Sequence, residues 1–207
     1  MRPEIILAFD TSAAHCAAAL LFNDQIRLKF ETMEKGQAER LVPFLQDLLG
    51  EAGYSWADLT AIAVGTGPGN FTGVRISVAC ARGLALGLGI PAIGVTRLEA
   101  LAYGLPHPVT VIEDARRDEV YVQSFGLSDV SLSTARLAPA LDPGPLQTYR
   151  TGSGATGTTL AAAMPLAEAI ARIAATKLTT TQPRPAPFYL RGADAALPTD
   201  TPPVILP

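Results

Sequence analysis

Three carboxylates that end strand-like apolar runs are the side chains of this sequence best suited to chemistry: Asp10, Glu113 and Asp114. Carboxylates at strand ends that face a crevice can hold Mg²⁺ together with a nucleotide. They can equally pair with arginines and only fix the turns, the candidates being Arg75, Arg116 and Arg117. The residue types leave both the enzymatic and the structural interpretation open.

A glycine-rich loop is the second candidate for chemistry. After the apolar run from Ala61 to Val64 the sequence reads GTGPGNFTG, which no helix or strand interior would tolerate. Such a loop, where it opens a helix, can present free N–H groups to a phosphate. The spacing matches neither G-x-x-x-x-G-K-[ST] nor G-x-G-x-x-G, so a tight structural turn is the alternative. A bound nucleotide would be contacted at Asp10, Thr11, Ser12, Gly67, Gly69 and Asn70.

Arg75 lies in the first turn of the helix predicted after this loop. A cation there opposes the positive end of the helix dipole, which is unfavourable unless an anion lies nearby. We therefore predict an ion pair between Arg75 and a carboxylate, with Asp10 as the first candidate.

Other catalytic arrangements are not supported by the sequence. His15 and His107 lie far apart in the chain, and each is better explained as a turn residue than as a metal ligand. The run Gly152-Ser153-Gly154 lacks the pattern of a nucleophile elbow. The two cysteines, Cys16 and Cys80, are expected to be small buried residues in a reducing cytosol.

Composition points to a folded, cytoplasmic protein. The formal net charge is −3, and no basic run supplies the phosphate-neutralising stripe that independent nucleic-acid binding needs. The first residues, MRPEIILAFD, are too short an apolar run for a signal peptide, and no stretch is expected to reach the length of a membrane span.

The first hundred residues predict the element order βββαβαβα. Apolar runs indicate three antiparallel strands, the third of which alternates polar and apolar residues and should lie toward an edge. A helix follows over Gln37 to Ala52, and Thr96 is predicted to cap a further helix over Arg97 to Tyr103.

The helix after the glycine loop carries two rows of small residues at helical spacing. The first row is Gly73, Ser77, Ala81 and Ala85, and the second is Ala79, Gly83 and Gly87. Arg75 and Arg82 mark one edge, seven residues apart. Small side chains allow close backbone approach, so one side of the helix should pack on its own sheet and the other should bind another helix. An ordinary buried core helix is the alternative.

The second half begins by repeating the first at an offset of 104 residues. Asp114 corresponds to Asp10, and the run from Val120 corresponds to the run from Cys16. This repeat predicts two lobes, 1–104 and 105–207, with a crevice between equivalent turns.

The rest of the second half predicts several further elements. We expect a strand pair within Leu127 to Leu137, a turn at Leu141 to Pro145, a second glycine loop at 152–154, a helical stretch over Thr158 to Ala175 interrupted by Pro165, and an extended proline-rich end.

These residues resemble the TsaB (YeaZ) family, the non-catalytic subunits of the bacterial machinery for tRNA threonylcarbamoyladenosine. The resemblance rests on five segments in the family's order: ILAFDTS (6–12), GQAERLVPFLQDLL (36–49), GTGPGNFTGVRISVACARGLALGLGIPAIGVTRLEALA (65–102), DARRDEVY (114–121) and PAPFYLR (185–191). It implies the actin-like and sugar-kinase-like ATPase (ASKHA) fold, an α/β fold with two βββαβα-like lobes, the second of them reduced.

The resemblance also implies a scaffold that has no catalytic residues and binds and stabilises the threonylcarbamoyltransferase TsaD through helices of the first lobe. TsaE would join the complex, the free protein would form a homodimer, and contact with tRNA would be indirect. No metal or cofactor is implied for the isolated chain, and ATP with Mg²⁺ only for the assembled complex. Carried over by position, the partner-binding residues would be Leu41, Phe44, Leu45, Leu48, Phe71, Gly73, Val74, Ser77, Val78, Ala81 and Ala85.

Two positions depart from the family pattern. Gln37 stands where many relatives have histidine, and Asn70 stands where serine is common, which puts the family's contacts at these positions in doubt. The competing hypothesis is an active small ATPase or kinase that uses Asp10 and Asp114 around Mg²⁺. A peptidase is a third hypothesis, for which the sequence offers neither nucleophile nor metal ligands.

Overall fold

Two β-sheets with the same strand arrangement organise the chain in a computed structural model, which describes residues 4–128, 133–140 and 148–191. The first sheet has the order β3-β2-β1-β4-β5. Its strands are β1 (Ile5–Asp10), β2 (His15–Phe22), β3 (Gln25–Thr32), β4 (Ala61–Gly65) and β5 (Ala92–Val95). The first three are antiparallel, and β4 and β5 run parallel to β1 and to each other. The predicted position of β3 at an edge is confirmed.

Helices cover both faces of this sheet because its central strands are apolar on both sides. The helices are α1 (Gln37–Glu51), α2 (Phe71–Leu88), α3 (Arg97–Ala102) and α4 (Leu166–Lys177). Ile5, Leu7 and Phe9 of β1 face the core under α1 and α2, and the alternate residues Ile6 and Ala8 face the core under α4. The predicted order βββαβαβα and the cap of α3 by Thr96 are both confirmed. A short 3-10 helix spans Trp56–Asp58.

The second sheet repeats the first four strands of the first sheet. It has the order β8-β7-β6-β9, where β6 is Val109–Arg116, β7 is Glu119–Phe125, β8 is Arg136–Pro139 and β9 is Tyr149–Thr151. Strand β6 is antiparallel to β7 and parallel to β9, just as β1 is antiparallel to β2 and parallel to β4. Strands β6 and β7 begin 104 residues after β1 and β2. The predicted duplication and the α/β fold class are confirmed.

Helix α4 belongs to the second half of the sequence but packs on the first sheet. It begins directly after Pro165, which is its N-cap, and its buried face contacts β1 and β2. A division at residues 104 and 105 therefore separates the two sheets but not the helices that cover them.

One helix in the described part of the chain is long and apolar enough to span a membrane by length and composition. Helix α2 has 18 residues with a mean hydropathy of 1.3, so the expectation that no stretch reaches this length is wrong. Core helices of soluble proteins meet the same test, and α2 has one face against the first sheet.

Three predictions fall wholly or partly outside the described residues. They are the turn at Leu141 to Pro145, the extended end beyond residue 191, and the part of the strand pair at 129–132. Strand β8 overlaps the predicted pair only at its last two residues, Arg136 and Leu137, and residues 133–135 are not in a strand.

Candidate functional site

Asp10 lies at the end of β1 and is completely buried. Its Oδ1 accepts hydrogen bonds from the Ser12 backbone N–H at 2.9 Å and the Ser12 hydroxyl at 2.8 Å, and lies 3.1 Å from His15 Nε2. Its Oδ2 has no hydrogen-bond partner in the described part of the chain and faces Gly65, where a side chain would collide with it. The carboxylate therefore holds the turn between β1 and β2.

The charge of Asp10 is stabilised by its neighbours. Burial disfavours the ionised form, but the hydrogen bond from His15, the positive charge of Arg97 and the Ser12 N–H together hold the pKa of Asp10 below its usual value. His15, expected to be only a turn residue, is thus the direct partner of this carboxylate.

The predicted ion pair between Arg75 and Asp10 is wrong. The guanidinium of Arg75 lies 3.9 Å from the centre of the Phe71 ring, and its Nε donates to the Tyr189 hydroxyl at 2.9 Å. Phe71 and Tyr189 stack on each other with ring centres 5.1 Å apart. Aromatic faces stabilise this cation on the outside of α2, away from the buried Asp10.

Arg97 makes the ion pair that was expected of Arg75. It is the first residue of α3, and its Nε donates to Glu113 Oε2 at 2.6 Å. The other carboxylate oxygen of Glu113 accepts the Ser153 N–H at 2.7 Å. The first turn of α3 is thereby joined to the end of β6. The helix-dipole argument applied to Arg75 would also have predicted a carboxylate partner for Arg97, since Arg75 was assumed to lie in the first turn of its helix, as Arg97 does.

The glycine loop packs directly on the turn after β1. Asn70 N–H donates to the Ser12 carbonyl at 2.7 Å, and the Asn70 side chain caps α2 by accepting the Gly73 N–H at 2.9 Å. A Cβ at Gly69 or Gly73 would lie well inside 3.0 Å of the backbone oxygens of Ser12 and Thr11. Of the six residues predicted to contact a nucleotide, Asp10, Ser12, Gly69 and Asn70 contact one another. Thr11 instead donates its hydroxyl to the Gly73 carbonyl, and the Gly67 carbonyl accepts the Arg97 N–H.

The second glycine loop packs on the second sheet in the same manner. Gly152 and Gly154 lie against the backbone of Ile112 and Glu113, and the Ser153 hydroxyl accepts the Asp114 N–H at 3.0 Å. Asp114 in turn accepts the Arg116 N–H at 2.8 Å. These contacts favour the structural interpretation, in which the acidic residues fix the turns. Among the described residues, no group of three or more His, Cys, Asp and Glu is placed to hold a metal ion.

We expect the isolated chain to show no measurable heat of binding when ATP and Mg²⁺ are titrated into it in a calorimeter. Three of the N–H groups at the start of α2, those of Asn70, Gly73 and Val74, already have acceptors, which leaves fewer donors for a phosphate. Binding that is lost in Asp10→Asn would contradict this and would support the ATPase hypothesis.

The cysteines play the structural part expected of them. Cys16 is buried and Cys80 is partly buried, and both are free thiols. Burial raises the pKa of each thiol to about 11, so both are protonated at neutral pH and poor nucleophiles.

Most of the predicted partner-binding residues are covered by the chain itself. Ten of the eleven are buried: Leu41, Phe44, Leu45, Leu48, Gly73, Val74, Ser77, Val78, Ala81 and Ala85. They form the core between the first sheet and helices α1 and α2, so they cannot lie on a contact surface. The prediction is wrong for these ten. Phe71 is exposed, with 46% of its surface accessible.

The second row of small residues on α2 is open. Ala79, Gly83 and Gly87 are exposed, and a Cβ added at Gly83 or Gly87 would meet no atom within 4 Å. Beside them Leu86 is 79% exposed, and on the neighbouring helix α1 Val42 is 45% exposed. We call the exposed side of α2, from Phe71 to Gly87, the open face of α2.

Comparison with known proteins agrees with the fold. The family model described as TsaD, tRNA N6-adenosine threonylcarbamoyltransferase, matches residues 31–143. The tRNA threonylcarbamoyladenosine biosynthesis protein TsaB of Escherichia coli K12 is 41% identical over 121 residues, which are 56% of this chain and 52% of that protein. The chain thus spans about half the length of the first curated relatives it matches.

Two solved structures from Pseudomonas aeruginosa superpose on most of the chain. One, described as an uncharacterized protein with similarity to peptidase YEAZ, has a TM-score of 0.75 at 29% identity and covers 91% of this chain and 100% of its own. The other, described as YeaZ, has a TM-score of 0.70 at 30% identity and covers 85% of this chain and 92% of its own. Because sequence, family model and fold all agree over more than half of its length, the chain belongs to the TsaB (YeaZ) family.

Proposed function

We propose that this protein takes part in the biosynthesis of tRNA threonylcarbamoyladenosine as a scaffold, which binds the threonylcarbamoyltransferase TsaD through the open face of α2 and the adjacent exposed side of α1. The observation that carries the proposal is the row of Ala79, Gly83 and Gly87, which no other part of the described chain covers. The curated relatives named TsaB support the process.

The energetics of α2 support a partner helix on this side. A glycine in a helix interior is about 1 kcal/mol less favourable than alanine. At Gly73 close packing on the turn after β1 explains the glycine, whereas nothing within 4 Å explains Gly83 or Gly87. A helix from another protein could approach closely at these two positions, and apolar contact with Leu86 and Phe71 would add to the binding.

The buried carboxylates support a role without bond-making chemistry. Asp10 and Glu113 already bind His15, Ser12, Arg97 and Ser153. The rest of the proposal follows the family resemblance: TsaE as a further partner, ATP with Mg²⁺ only in the assembled complex, a homodimer in the absence of TsaD, indirect contact with tRNA and a cytoplasmic location.

The variant Gly83→Leu is expected to weaken the complex with purified TsaD roughly thirtyfold or more, because its side chain would occupy the space into which the partner helix packs. The free chain should tolerate the substitution, since a Cβ at this position meets no atom within 4 Å. Isothermal titration calorimetry and size-exclusion chromatography of the mixed proteins measure the effect.

The matched control is Thr32→Leu, which places the same side chain on the exposed edge strand β3, at the opposite side of the sheet from α2. This variant should bind TsaD as the wild type does. The absence of a complex with the wild-type chain would refute the scaffold role, and equal binding by Gly83→Leu would remove the open face of α2 from the interface.

A further inference from the structure

Three arginines surround the open face of α2 and have no carboxylate partner among the described residues. Arg75 and Arg82 lie two turns apart on α2, and Arg184 comes from the segment that follows α4. Together with Ala79, Gly83, Leu86 and Pro187 they line one open groove of about 390 Å³. Arg82, Arg184 and Lys177 also line the adjoining groove of about 740 Å³. No aspartate or glutamate of the described residues lines either groove.

These three arginines differ from the ion-paired arginines of the described chain because they line one groove together with no carboxylate beside them. Arg40, Arg97, Arg172 and Arg191 each form an ion pair with a glutamate. Within the described part of the chain, Arg82 and Arg184 form none, and Arg75 is held only by aromatic rings and the Tyr189 hydroxyl. The Phe71 ring and that hydroxyl bond fix the guanidinium of Arg75, so less side-chain entropy is lost when it binds an anion.

Long-range packing, rather than the local sequence, brings the third arginine to this face. Phe188 N–H donates to the Thr66 carbonyl at 2.8 Å, and Pro185 lies against Gly94 of β5. These contacts hold the segment beside α2, where Arg184 joins Arg82 along the groove. The overall charge of the chain is −3, so this local positive surface is not a consequence of its composition.

We propose that Arg75, Arg82 and Arg184 form an acceptor for an acidic amphipathic helix of the partner, whose carboxylates pair with the arginines while its small or apolar face packs on Ala79, Gly83 and Leu86. This inference rests on the proposed function and adds to it the chemistry that selects the partner. The apolar floor favours a helix over RNA, because a phosphate backbone would leave Leu86 and the row of small residues uncovered.

Charge reversal of the arginines tests the proposal with the full-length chain and the purified transferase. Arg82→Glu and Arg184→Glu are each expected to weaken the complex roughly tenfold or more at about 50 mM NaCl, and the double variant to weaken it further. Arg82→Lys, which keeps the charge, should retain most of the affinity. Wild-type affinity should fall as NaCl rises to about 500 mM, and the double variant should lose most of this salt dependence.

The control is Arg27→Glu, the same charge change at an exposed position of β3 on the far edge of the sheet. It should bind as the wild type does. Wild-type affinity in both Arg82→Glu and Arg184→Glu would overturn this inference and leave the scaffold role standing, whereas no complex with the wild-type chain at any salt concentration would overturn both. A parallel titration with tRNA tests whether RNA, rather than a protein helix, binds the arginines. Charge-reversal variants that lose tRNA binding but keep the protein complex would overturn the proposal of an acidic helix in favour of RNA.

Discussion

Gly73→Ala is expected to lower the free energy of unfolding by about 3 kcal/mol or more. The added Cβ would lie well inside 3.0 Å of the Thr11 carbonyl oxygen, which is a backbone atom and cannot rotate away. Either α2 must move off the first sheet or the turn after β1 must shift, and Thr11 also donates its hydroxyl to the Gly73 carbonyl at 2.6 Å. Urea unfolding followed by circular dichroism measures the change.

Gly83→Ala on the same helix is the matched control and should act in the opposite direction. Its Cβ would meet no atom within 4 Å, and alanine is favoured over glycine in a helix interior. We expect the free energy of unfolding to rise by about 0.5 to 1 kcal/mol. Equal effects of the two substitutions would mean that α2 does not pack on the first sheet as described.

The order of the strands in this protein can be predicted from its sequence because each strand depends on a local pattern of residues. The apolar runs that form the first sheet, the glycine loops and the cap at Thr96 are determined by neighbouring residues, and all of these appear in the structure. The second sheet is readable because the pattern around Asp10 recurs at Asp114 with a constant offset.

The partners of individual charged side chains cannot be predicted from local sequence patterns. The dipole argument predicts a carboxylate beside an arginine in the first turn of a helix, the position that the sequence suggests for both Arg75 and Arg97. In the structure Arg97 is the first residue of α3, whereas Arg75 is the fifth residue of α2 and lies beyond the first turn. Only Arg97 has one, because sheet packing places Glu113 beside α3. Arg75 instead contacts Tyr189, which is 114 residues away in the sequence. Helical spacing likewise predicts two rows of small residues on α2, but it does not predict which row faces the sheet. The connection from β4 to α2 orients the helix so that Gly73 faces the sheet and Gly83 faces outward.

Asp10→Ala is expected to lower the free energy of unfolding at neutral pH by about 3 kcal/mol. The substitution removes the acceptor of the Ser12 N–H and hydroxyl and of His15, and it removes the negative charge that Arg97 and His15 stabilise inside the core. Asp10→Asn keeps an oxygen for Ser12 but not the charge, so its cost should be smaller, about 1 to 2 kcal/mol. Comparing the two variants separates the charge of Asp10 from its hydrogen bonds.

The pH dependence of this effect follows from the lowered pKa of Asp10. The pKa of Asp10 is lower in the folded state than its unfolded value of about 3.9. The charged carboxylate therefore stabilises the fold at pH values above about 3.9, and this stabilisation is lost as the pH falls through the folded-state pKa. The difference in unfolding free energy between the wild type and Asp10→Asn should therefore be constant from about pH 7 to about pH 5 and should shrink below about pH 4. Urea unfolding at a series of pH values measures it. A difference that grows as the solution becomes more acidic would show that burial, rather than His15 and Arg97, dominates the energetics of this carboxylate.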